Sequence, residues 1–82
     1  MELIILFLYD QINDLFDLVK ETEGITLIHI KDKNNDDRYK SKGIPLNELP
    51  LFIIYYGDTL KYYPANQDTF NQIKNKLDML IG

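Results

Sequence analysis

The sequence predicts one α/β domain over residues 1–82, in the order β-α-β-(α)-β-β-α. Two continuous apolar runs, Leu3–Tyr9 and Leu51–Tyr56, have the length and composition of strands buried on both faces. Apolar residues at helical spacing follow the first run and close the chain, while Gly57-Asp58 interrupts the last apolar region as a hairpin turn does. Hydrophobic residues at 45% and charged residues at 27% match ordinary globular usage, which argues against wholesale disorder. A chain of this size hides only about 60% of its unfolded surface. Without a cysteine it must take its stability from packing or from a partner.

Leu3–Tyr9 stops at Asp10, which is placed to cap a helix carrying Ile12, Leu15, Phe16 and Val19 on one face and Asp14, Asp17 and Lys20 on the other. Gly24 ends that helix, and Ile25–Ile30 follows as a second buried strand. Strand, helix, strand implies a parallel pair with the helix over one face. Residues 31–43 (KDKNNDDRYKSKG) form a polar middle in which Asn34 or Asn35 caps a short helix running through Tyr39. After GIPLNELP come the strand Leu51–Tyr56, the turn and the strand Thr59–Tyr63, closed by Pro64. Asn66 or Asp68 then caps a final helix whose stripe is Phe70, Ile73, Leu77 and Leu80, and Gly82 ends the chain.

A formal net charge of -4 and a pI near 4.7 disfavour nucleic acid and anionic membrane surfaces as partners. The absence of cysteine removes thiolate nucleophiles, disulfides and Cys-ligated metals from this chain. The opening apolar run lacks a basic flank and is far shorter than the ~20 residues of a membrane span. The expected location is accordingly the cytoplasm, or a virion if the chain is encoded by a virus or phage.

The segment Gly43-Ile44, a spacer, then Glu48-Leu49-Pro50-Leu51-Phe52-Ile53 resembles the proline segment of thioredoxin-like and glutaredoxin-like proteins. The element order is similar to theirs as well. The resemblance implies a single thioredoxin-like domain with a four-stranded mixed sheet flanked by helices, and a cis bond between Leu49 and Pro50. It also implies a docking groove for an extended partner segment, formed by Leu49, Pro50 and the turn Asp10, Gln11, Ile12 and Asn13. That turn departs from the family where its chemistry resides, because no Cys-x-x-Cys or Cys-x-x-Ser stands between the first strand and the first helix. Mixed disulfides cannot form there, so the resemblance implies a redox-inactive variant. A ferredoxin-like sandwich is the alternative fold, although it demands a full helix from the stretch Asn34–Lys42.

Other chemistry is sparse. His29 stands alone inside an apolar strand without a spaced second ligand, which favours packing over catalysis or metal binding. Asp32, Asp36 and Asp37 lack calcium-loop spacing and alternate with Lys31, Lys33, Arg38 and Lys40, as a solvated surface does. Tyr55, Tyr56, Tyr62 and Tyr63 flank the hairpin, and strand alternation sends one of each pair to either face. Tyr62 and Tyr63 mark the edge Thr59–Tyr63 as a second candidate partner surface. The sequence therefore points to a non-enzymatic protein-binding or structural module of a larger assembly, with no cofactor and no metal. Alternatives are a cysteine-independent, glutathione-linked enzyme using Tyr9, and a structural protein of a virus or phage particle.

Overall fold

A computed structural model of the chain describes residues 2–81, the side chains of 80 and 81 excepted. Its elements are β1 (Leu3–Tyr9), α1 (Asp14–Lys20), β2 (Ile25–His29), α2 (Asp37–Lys40), a 3-10 turn (Leu46–Glu48), β3 (Leu51–Tyr56), β4 (Thr59–Pro64) and α3 (Gln67–Ile81). The strands form one mixed sheet in the order β2-β1-β3-β4. β1 runs parallel to β2 and antiparallel to β3, which pairs antiparallel with β4.

Because successive side chains on a strand point to opposite faces, the unbroken apolar runs of β1 and β3 feed two cores at once. Ile5, Phe7 and Phe52 face α1 and α3, where they pack with Val19, Phe70, Ile73 and Leu77. Leu8, Leu51 and Ile53 face the other way and meet Tyr39, Ile44 and Leu46 around α2 and the 3-10 turn. Phe7 and Phe52 are wholly buried with ring centroids 5.2 Å apart, a burial worth about 1.5–3 kcal/mol for each ring. α2 has only four residues, too few to be stable alone. The buried Tyr39 holds it against the sheet.

Helix starts differ from expectation. α1 begins at Asp14 and its cap is Asn13, whose Oδ1 accepts the Phe16 N–H at 2.9 Å. Asp10 instead lies outside the helix, and Ile12 leaves the expected apolar stripe to stand 70% exposed. Asn and Asp are near-equivalent caps; the three residues after Asp10 are used to turn the chain from strand to helix. α2 is likewise capped by Asp36 rather than Asn34 or Asn35, with the Arg38 N–H donating at 3.2 Å. Asn34 donates its own N–H to Asp32 in a preceding turn. At α3 the expectation of Asn66 holds: its Oδ1 accepts the Thr69 N–H at 2.9 Å and Thr69 Oγ1 accepts the Asn66 N–H at 3.0 Å. Leu80 of the expected stripe and Gly82 fall outside the described side chains and residues.

β2 ends at His29, one residue short of the expected bound, although the Ile30 N–H still donates to the Tyr9 carbonyl at 2.8 Å. The hairpin is tight: Tyr56 pairs with Thr59 and Gly57 has φ 61°. A single positive φ at the first central residue is the type II′ turn, whose twist suits right-handed strands.

Gly24 and Gly43 both have left-handed backbone, with φ 94° and 81°. A Cβ at Gly24 would also stand 3.2 Å from Leu77 Cδ2, whereas one at Gly43 meets nothing within 4 Å. Gly43→Ala is therefore expected to cost about 1–2 kcal/mol from the backbone alone, and Gly24→Ala more. Urea midpoints of the two variants check the ranking.

Candidate functional site

The end of the sheet where β1 stops and β3 starts carries the turn 10–13 and the Leu49–Pro50 pair. The register sets them side by side: Leu8 pairs with Leu51, so the chain leaving β1 through Tyr9 and Asp10 runs beside Pro50 and Leu49. The Leu49–Pro50 bond is cis, as the resemblance implies, and Leu49 is extended at φ -58°, ψ 147°. The Ala65 N–H donates to the Pro50 carbonyl at 3.0 Å, which ties the exit of β4 to the same end.

Six of the eight residues marked in the sequence thus meet at this end. Gln11, Ile12 and Asn13 are exposed, whereas Asp10, Leu49 and Pro50 are half-buried. Leu49 packs against the α2-side core. Asp10 forms an ion pair with Lys33 at 3.1 Å, which fastens the polar middle to the turn. Sequence reasoning missed Lys33, because nothing in the spacing of a mixed-charge loop marks which lysine turns inward. Asn13 Oδ1 takes up the Phe16 N–H at the start of α1, and beside it the turn presents the exposed apolar side chain of Ile12.

Tyr62 and Tyr63 do not join this cluster. They lie on edge strand β4, paired with Ile53 and Phe52 and directed to opposite faces; Tyr62 is 46% exposed and Tyr63 half-buried. Tyr55, on the Tyr62 face, accepts a hydrogen bond from Lys42 Nζ at 3.0 Å, and Tyr56 is exposed. One member of each pair therefore packs, as alternation requires.

Tyr9 and His29 form an aromatic stack beside the turn, with centroids 5.1 Å apart, and Tyr9 also contacts Phe16 at 4.7 Å. In the polar middle, the Asn35 amide and the Asn34 N–H hold the Asp32 carboxyl below its ordinary value of 3.8. The Arg38 guanidinium, 3.1 Å away, does the same to Asp36. Among the described residues no three His, Cys, Asp or Glu side chains gather as a metal site, and no helix is long and apolar enough to cross a membrane.

Asn13→Ala is expected to cost about 1 kcal/mol by loss of the cap, and Asp10→Ala, which loses a partly exposed ion pair, less than that; thermal melts of both variants check the assignment. Because the Asp32 and Asp36 carboxyls are lowered from 3.8, they contribute order to residues 32–38 above that pH and lose it as the pH falls through the lowered values. Protection of the Asn34 and Arg38 amides against hydrogen exchange should accordingly decline below pH 3.8.

No model of a known protein family, no curated protein and no solved structure matches this chain.

Proposed function

We propose that the chain is a redox-inactive thioredoxin-like module that binds an extended segment of a partner protein at the turn 10–13 and Leu49–Pro50. The strand order β2-β1-β3-β4, with a cis X-Pro bond opening β3 beside the end of β1, supports the fold reading. The observation that carries the binding reading is Ile12: 70% exposed, on a turn pinned by Asn13 at one side and by the Asp10–Lys33 pair at the other. An apolar side chain on a turn held at both flanks loses less conformational freedom on docking than one on an unheld loop, which favours it as an anchor. Leu49 has the extended backbone that a strand-like partner segment pairs with. With no cysteine in the chain, capture at this groove is non-covalent.

Selection of a displayed library of linear peptides on the chain tests this reading. Enriched peptides should shift the amide resonances of residues 10–13 and Leu49. Ile12→Asp should weaken them at least tenfold, about 1.4 kcal/mol, while changing folding stability by no more than about 0.5 kcal/mol, as expected for an exposed position. Peptides that bind the folded Ile12→Asp variant unchanged, or a library that yields none, would overturn the proposal.

A further inference from the structure

At the opposite end of the sheet, on the α3 face, the hairpin and the last turns of α3 diverge and leave a groove of about 500 Å³. Leu3, Ile5 and Ile54 make its floor, and Ile73 with Met79 its helical wall. The floor follows from the register, in which Leu3 pairs with Tyr56 and Ile5 with Ile54. The wall follows from the helical spacing of α3, which buries Ile73 and leaves Met79 82% exposed. Such a volume, walled by aliphatic side chains, falls within the range of small-molecule sites.

The charge at its rim is the second observation. Lys61 of β4 and Lys76 of α3 line the groove, and no aspartate or glutamate does. That is an inversion in a chain of net charge -4. Among the described residues neither lysine has a carboxylate at ion-pairing distance; the pairs formed are Lys20–Asp17, Lys33–Asp10 and Arg38–Asp36. Lys76 stands more than one turn before the end of α3 at Ile81, where the helix dipole's preference for cations has faded. An anionic group between the two ammonium groups is thus favoured, with an apolar extension below it.

We propose that this groove binds a monomeric fatty carboxylate, its tail along Leu3, Ile54 and Ile73 and its head between Lys61 and Lys76. Tyr56 and Thr59 also line the groove, at the hairpin rim. The site is independent of the groove at Leu49–Pro50 and stands or falls without it.

Decanoate, used below its micelle-forming concentration and followed by amide shifts of the isotope-labelled chain, is the probe. Saturable one-to-one shifts are expected at Leu3, Ile54, Lys61, Ile73 and Lys76. Decyltrimethylammonium, which has the same tail and the opposite charge, should bind at least tenfold more weakly. The double variant Lys61→Ser/Lys76→Ser should lose at least tenfold in decanoate affinity while keeping its melting temperature, both side chains being exposed. Failure to saturate below about 1 mM, equal binding of the two amphiphiles, or an unchanged affinity in the double variant would overturn the proposal. Shifts spread through both cores would do the same by indicating loosening of the fold, as would concentration-dependent shifts of the groove residues without amphiphile.

Discussion

The burial of β1 between two cores is the constraint on which the structure depends. Phe7 and Leu8 are adjacent in sequence, point to opposite faces and are both wholly buried. A strand with solvent on neither face needs a neighbour on each edge and a layer above and below. β2 and β3 supply the edges, α1 with α3 one layer, and α2 with the 3-10 turn the other. An antiparallel partner on one side and a parallel one on the other bring the exit of β1, the entry of β3 and the exit of β2 to the same end of the sheet. The turn 10–13, Leu49–Pro50 and His29 are neighbours for that reason.

The two layers are unequal. α3 has 15 residues and a row of buried aliphatic and aromatic side chains, whereas α2 has four and is held by Tyr39. On the α2 face the sheet is well covered near Leu8, Leu51 and Ile53. It is open at Ile4, 41% exposed beside the hairpin end, and along the edge strand at Tyr62, 46% exposed opposite Ile53. With few residues to spend, the chain covers the end that carries the turn and leaves the hairpin end thinly clad on both faces. The exposed apolar surface lies where cover is missing, and the groove beside Met79 is the counterpart of this economy on the α3 face.

The strand plan was largely legible from residue pattern alone. Continuous apolar runs identify β1 and β3 because a strand buried on both faces shows no alternation, and Gly57-Asp58 marks the hairpin because a type II′ turn wants glycine at its first central position. The cis bond before Pro50 was legible only through the resemblance. Cap assignments failed at α1 and α2 for one reason: Asp10, Asn13, Asn34, Asn35 and Asp36 are all competent caps, and which one works depends on where the backbone turns. The apolar character of Ile12 counted toward a helix stripe, although the tertiary structure presents it to solvent. The pairing of Asp10 with Lys33 joins loops distant in sequence and leaves no periodic trace. Likewise the groove beside α3 depends on where a helix and a hairpin part, which the order of residues does not encode directly.

The central position of β1 also has a consequence for synthesis on the ribosome. Its partner on one flank, β2, emerges soon after it, so a strand-helix-strand unit can assemble early. The other flank waits for Leu51–Tyr56, its antiparallel partner in the finished sheet. A strand-helix-strand unit formed before then would present one edge of LIILFLY unpaired, and the arrival of the second half of the protein would cover it.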